Sequence, residues 1–183
     1  MQLDGTAIMQ ELREDHRNMA AILDQLDDVT WLASSGKDPD FPLLGEIMRY
    51  MTVYPDAVHH PKEDVMYERL RSERPDLSEG LDDVCEDHRA IAELGARLRD
   101  DVEAVIAGAA VRREKLIEDA SAYVGRLRAH MQWEEGDLFK RIDSMLDAEP
   151  MNFDVSRYAH VRDPLFGTQV DDNFERLTTS MRP

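Results

Sequence analysis

Apolar residues recur at helical spacing along nearly all of this chain, and three short stretches interrupt them. The interruptions are ASSGKDPDFP at 33–42, RSERPDLSEG at 71–80 and GAAVRR at 108–113. A helix with one apolar stripe has to bury that stripe against a neighbour. Short connections bring consecutive helices side by side. The pattern predicts helix A over 4–33, helix B over 41–71, helix C over 77–107 and helix D over 111–147, with ends good to about two to four residues. The expected fold is all-α, an antiparallel up-down-up-down four-helix bundle with a C-terminal tail. Residues 1–149 form the bundle. Residues 150–183 form an extension, irregular around Asp163-Pro164 and Gly167, with a short helix near 168–180.

Helix B carries Pro55 and Pro61. Pro61 has no N–H to donate, and its ring crowds the carbonyl of Ala57. A kink or local rearrangement is expected beside His59, unless helix B is two shorter helices.

Four histidines and two glutamates are spaced to match this frame: His16, His59 with Glu63, His88, and His130 with Glu134. Each H-x-x-x-E pair sets an imidazole and a carboxylate one turn apart on one helix face. Counted from the predicted helix ends, the four histidines fall within roughly one helical turn of a common height. All six residues therefore meet in one layer. An internal repeat supports a pseudo-twofold arrangement. EDHR occurs at 14–17 and again at 86–89, and HHPKEDVMYERL (59–70) is similar to HMQWEEGDLFKRI (130–142) if the second has one extra residue.

Burying four imidazoles and two carboxylates is costly unless a cation compensates them. Two cations close together repel, and two bridging carboxylates neutralise part of that charge. Mixed imidazole and carboxylate ligation suits iron, with zinc or manganese as alternatives. Two iron ions held this way leave room for a bridging oxo or hydroxo group and for an outside molecule.

With these residues the chain resembles the hemerythrin-like family, the HHE cation-binding domains. The pattern H…H-x-x-x-E…H…H-x-x-x-E covers 16–134, and HHPKED and HMQWEE resemble the family's motifs. The resemblance implies that His16 and His59 bind one iron, that His88 and His130 bind the other, and that Glu63 and Glu134 bridge. Oxygen-carrying members have a second histidine on helix C, four residues after the first; Ala92 stands there in this chain. The expected set is therefore four histidines, closer to bacterial di-iron proteins of nitric-oxide stress and iron-centre repair. A cysteine-bearing N-terminal domain like that of those proteins is not expected from residues 1–183.

Neighbouring residues carry expectations of their own. His60 points about 100° away from His59 and is read as a surface or supporting group, with His59 the helix B ligand. Glu135 is an alternative ligand to Glu134. Asp15 and Asp87 are read either as solvated residues or as acceptors that orient ligands. Tyr123, two turns before His130, is an ordinary core tyrosine or a hydrogen-bond donor near the site. Ala92 and Gly95 leave a pocket or allow close packing. Cys85 is expected to be a buried small apolar residue, and His160 a surface histidine.

The net charge of −17 disfavours nucleic acid and anionic membranes as partners. One cysteine, no signal-peptide pattern and no long apolar run point to the cytoplasm. The function expected is binding of O2, NO or peroxide for sensing, scavenging or storage. The alternatives are an enzyme of peroxide or nitric oxide detoxification, or an iron donor to iron-sulfur centres. No protein partner is indicated.

Overall fold

The computed structural model describes residues 2–158, 161–166 and 171–181; His160 lies outside them. The helices are α1 (Gly5–Ser34), α2 (Phe41–Tyr54), α3 (His60–Glu73), α4 (Leu81–Ile106), α5 (Arg113–Trp133), α6 (Phe139–Ala148) and α7 (Glu175–Ser180). A π-helical turn, Pro55–His59, joins α2 to α3, and another, Glu134–Leu138, joins α5 to α6. Helices B and D are thus continuous rods, each with a widened turn. Among the described residues no helix is long and apolar enough to cross a membrane.

Local signals set the helix ends. Asp4 caps α1 by accepting from the Thr6 N–H at 2.7 Å, and Asp40 caps α2 by accepting from the Leu43 N–H at 3.0 Å. The breaks after α1 and α4 share one C-terminal motif. Gly36 and Gly108 take φ of +81° and +90°. Lys37 N–H then reaches the Leu32 carbonyl, and Ala109 N–H reaches that of Ala104. Only glycine adopts this left-handed position without strain, and the bonds satisfy carbonyls at the helix end.

Helix α1 packs against α2, α5 and α6, while α4 packs against α2 and α5. The interior divides into two apolar clusters. One contains Met19, Leu23, Met48, Val58, Ile91, Leu127 and Met131. The other contains Leu12, Met66, Tyr67, Val84, Leu138 and Phe139. Every long helix crosses from one cluster to the other through a polar stretch: 15–16 on α1, 59–63 on helix B, 88 on α4 and 130–134 on helix D. The polar layer is therefore walled above and below by close-packed apolar side chains.

Residues after Pro150 pack onto this body. Strand β1 (Leu3–Asp4) pairs antiparallel with β2 (Asn152–Phe153), with Leu3 opposite Phe153. Leu165, Phe174 and Leu177 are buried in the first apolar cluster, and α7 lies against α2. The Tyr50 hydroxyl donates to Asp163 at 2.8 Å, and the Leu177 N–H donates to Glu46 at 2.9 Å. Leu177 is fully buried. Leu177→Ala is therefore expected to cost about 2–5 kcal/mol, the range for a truncated core leucine. Urea unfolding checks this; a change near zero would mean the tail is not part of the cooperative unit.

Candidate metal centre

The distortion expected from Pro61 takes the form of the π turn at Pro55–His59. His60 N–H bonds the Pro55 carbonyl five residues back, a wider ring than the α-helical one. The second π turn has no proline. Phe139 N–H bonds the Glu134 carbonyl, and the turn coincides with the extra residue that separates the two repeats of the sequence. That extra residue was its only sequence signal. Such turns concentrate at functional sites, and both of these begin or end on a residue of the polar layer.

All six residues picked from the sequence come together, and none is more than 7% exposed. His59 Nε2 stands 3.3 Å from Glu63 Oε1, and His16 Nε2 stands 3.7 Å from the same oxygen. The other oxygen of Glu63 lies 3.4 Å from His88 Nε2. Glu134 Oε2 lies 3.3 Å from His130 Nε2 and 3.4 Å from His16 Nε2, and Glu134 Oε1 lies 3.9 Å from His88 Nε2. Each carboxylate thus faces imidazoles from both halves of the layer. The Nε2 atoms of His16 and His59, both oxygens of Glu63 and Oε2 of Glu134 are buried without a hydrogen-bond partner.

The far side of each ring faces an acid. Glu135 lies 3.1 Å from His16 Nδ1, and Asp15 lies 3.2 Å from His59 Nδ1. Asp64 lies 3.5 Å from His88 Nδ1, and Asp87 lies 3.8 Å from His130 Nδ1. For His16 and His59 the acid is within hydrogen-bond distance of Nδ1, which orients the ring and turns Nε2 inward, the arrangement that binds a cation. His88 Nδ1 is buried without a hydrogen-bond partner, and Asp87 stands off His130. Glu135, weighed as an alternative ligand, sits on the outer side of His16 and also pairs with Arg13 at 3.5 Å. Asp15 accepts in turn from the Tyr54 hydroxyl at 3.1 Å.

Tyr123 and Gly95 follow one of their two readings, a core tyrosine and close packing, whereas the buried reading of Cys85 and the surface reading of His60 do not hold. Tyr123 donates to the Met51 carbonyl at 3.3 Å, not to the layer. The tyrosine that reaches it is Tyr67, fully buried, whose hydroxyl donates to Glu134 Oε1 at 2.7 Å. Tyr67 lies on the apolar stripe of helix B, where sequence pattern alone does not separate it from core. Gly95 leaves no pocket: a Cβ there would sit 3.0 Å from Thr52 and from the Tyr123 ring. Cys85 is half-buried, not buried, with Arg71 at 3.9 Å and Asp64 at 4.0 Å. His60 is buried with its ring stacked on that of His88, centroids 4.1 Å apart, so it is not a surface group.

Tyr67→Phe removes one hydrogen bond to a buried charge. The expected cost is about 1.5–3 kcal/mol, from hydrogen bonds to charged groups. Metal affinity should fall about 10–100-fold, the usual effect of losing an outer partner of a ligand. Urea unfolding and zinc titration measure the two effects separately.

The electrostatics of the layer are strained in the protein alone. Burial opposes the charged form of His59, but Glu63 and Asp15 outweigh it and push the imidazole up to about 10. Burial likewise opposes a charge on His88, and Asp64 and Glu63 raise it to about 10. Burial raises the Glu63 carboxyl, yet the facing His59 and His88 hold it well below the usual carboxylate range. Burial, helped by His88 and His59, pushes His60 well down. Burial also lowers His130. Protons on His59 and His88 thus occupy the role of positive charge between two carboxylates.

Among the described residues, two groups have ligand atoms close enough to share a cation: His16, His59 and Glu63; and His60, Glu63, His88 and His130. The donor set fits divalent or trivalent metal. Its atoms are buried and converge: the Nε2 atoms of His16 and His59 and both Glu63 oxygens have no hydrogen-bond partner. His88 and His130 Nε2 lie 3.1 Å from each other, and Glu63 links the two groups. The model of the hemerythrin HHE cation-binding domain matches residues 7–142, with a second, overlapping match over 80–162. The first match spans most of the chain and all six residues. No curated protein and no solved structure matches the chain.

Proposed function

The chain belongs to the hemerythrin HHE cation-binding family, and from that premise we propose that its polar layer holds two iron ions and takes up O2, NO or peroxide. One observation carries the reading. Glu63 turns one unpartnered buried oxygen toward His16 and His59 and the other toward His88. A carboxylate in this position serves two cations. Glu134 supports the reading with a single unpartnered oxygen, Oε2, which faces both His16 and His130, while its other oxygen accepts from Tyr67. In this reading His16 and His59 hold one ion and His88 and His130 the other, with Glu63 and Glu134 between them. When bound, iron supplies open coordination positions and one-electron redox change.

The protein's own residues supply the rest. Glu135 and Asp15 keep the His16 and His59 rings turned inward. The two apolar clusters exclude water from above and below. A surface groove lined by Gly80, Val84, Asp87, Arg126 and Trp133 reaches His130 and offers a small molecule an approach from the α4–α5 side. The lone thiol of Cys85 suits a reducing cytoplasm.

The reading includes an up-down-up-down bundle. Between α1 and helix B, Asp15 meets Tyr54 and Glu11 meets Lys62. Between helix B and α4, Thr52 meets Arg99 and Arg71 meets Asp82. Between α4 and α5, Asp101 meets Lys115 and Asp87 meets Arg126. Between α1 and helix D, Arg128 meets Asp24 and Arg13 meets Asp143. In every pair residue numbers rise on one helix as they fall on the other, which supports antiparallel neighbours.

The test is metal analysis with an optical spectrum, before and after adding azide or nitric oxide. Protein from iron-replete cells should contain about two irons per chain, as a two-metal site requires, and should change its near-ultraviolet and visible absorption with either ligand. Zinc or manganese at the same stoichiometry would replace iron in the reading. Protein that takes up no metal when iron, zinc and manganese are supplied would overturn it.

A further inference from the structure

The four expected ligands share two marks. Each Nδ1 faces an acid, and each Nε2 faces the interior of the layer. His60 has both. Its Nδ1 lies 3.2 Å from Asp56 Oδ1, and its Nε2 is buried with no hydrogen-bond partner. We infer that His60 is a fifth imidazole ligand, completing with Glu63, His88 and His130 the shell of the second cation. The inference rests on the proposed metal centre and deepens it: the two ions are held unequally, by three imidazoles on one side and by His16 and His59 on the other.

The geometry supports this on three counts. First, the ligand atoms of His60, Glu63, His88 and His130 all lie within 4.8 Å of one another, and all four residues are buried. Second, the His60 ring is held in place from two directions. It stacks on His88 at 4.1 Å and 20°, and it meets His130 edge-on with centroids 6.1 Å apart. Third, the Asp56 carboxylate stands 3.2 Å from Nδ1 on the outer side of the ring, while Nε2 is buried with no hydrogen-bond partner. A buried polar atom left bare is unfavourable, and a cation at the point where these atoms converge removes the penalty.

Adjacency in sequence is what makes the division of labour work. Neighbours on a helix point about 100° apart, so His59 and His60 cannot serve the same ion. His59 turns toward His16, with ring centroids 4.8 Å apart, and His60 turns toward His88. Glu63, one turn on, lies between them and faces both sides.

The experiment is zinc titration of the metal-stripped full chain by calorimetry, together with metal counting after gel filtration. Wild type is compared with His60→Ala and His60→Gln. Wild type should bind about two zinc ions, and each variant should retain one tight site, with the second weakened at least about 100-fold, beyond the usual loss for an outer-shell residue. Imidazole added to His60→Ala should restore the second ion, which a purely structural histidine would not require. Circular dichroism of the stripped proteins identifies any variant that does not fold, in which case His60→Gln and Asp56→Asn decide. Two tight zinc ions in a folded His60 variant overturn the inference and leave the metal centre standing. Failure of wild type to bind zinc, iron or manganese overturns both.

Discussion

Glu63→Gln is expected to abolish tight binding of both metal ions, not one. Glu63 is the residue that both candidate metal groups share. The amide keeps the size of the side chain and loses its charge, so the apolar walls formed by Met66 and Leu138 should be undisturbed. What remains is a layer of imidazoles facing a single carboxylate, Glu134. Two cations a few ångströms apart then lack half the negative charge between them, and mutual repulsion of that size is severe in a dry interior. The expected metal content falls from about two ions per chain to well under one. Elemental analysis checks it, with circular dichroism to show the helices intact. A variant that still carries one ion at wild-type affinity would mean that the two sites are independent and that Glu63 does not bridge.

Stripping the metal should be the second large effect. A ligand bound only by the folded chain stabilises it by about 4.1 kcal/mol per site when its free concentration is a thousand times Kd. For a chain of this size that corresponds to a fall in Tm of about 8–16 °C per site on removal. The stripped protein should also become sensitive to pH where the loaded protein is not. His59 and His88, raised to about 10, hold protons that stand in for the missing cations. Their folded values lie above the ordinary 6.5. The stabilisation they provide is therefore complete below 6.5 and is lost as pH rises through about 10. His60 and His130 are shifted the other way, so their contribution is present above 6.5 and fades on acidification. Stability of the stripped chain should peak near neutral pH and fall on both sides, alkaline loss coming from His59 and His88. Thermal unfolding across pH 5–10, with and without metal, measures this. A stripped protein as stable and as insensitive to pH as the loaded one would show that the layer does not depend on cations.

Both expectations trace to features readable in the chain. The spacing of His16, His59, His88 and His130 within their helices placed them at one height, because a helix rises by a constant amount per residue. The i, i+4 spacing of His59 with Glu63 and of His130 with Glu134 aligned imidazole and carboxylate on one face. The prolines of helix B signalled a local distortion, and it appears as the Pro55–His59 π turn.

His60 shows where that reasoning stopped. A regular helix turns His60 about 100° away from His59, and from spacing on one helix that direction looks like solvent or support. Whether it faces solvent or a second helix depends on where α4 passes, and His88 on α4 is what His60 meets. Tyr67 and Tyr123 make the same point in reverse. Both lie on apolar stripes, and only the way the helices surround the interior brings the Tyr67 hydroxyl across to Glu134. The tail is a third case. Leu165, Phe174 and Leu177 are too few and too scattered to form a periodic signal, yet they complete the core against α2.

What the sequence determined by itself is whatever repeats along one helix: the long helices, their breaks, the apolar stripes and the height of the six polar residues. Those follow from bonds and distances within a few residues of one another. What only the tertiary structure decided is whatever depends on the angle between helices: the acid behind each imidazole, the tyrosine on Glu134, the seating of the tail and the inward turn of His60. Sequence separation does not encode the distance between side chains on different helices, which is set by how all the apolar faces pack at once.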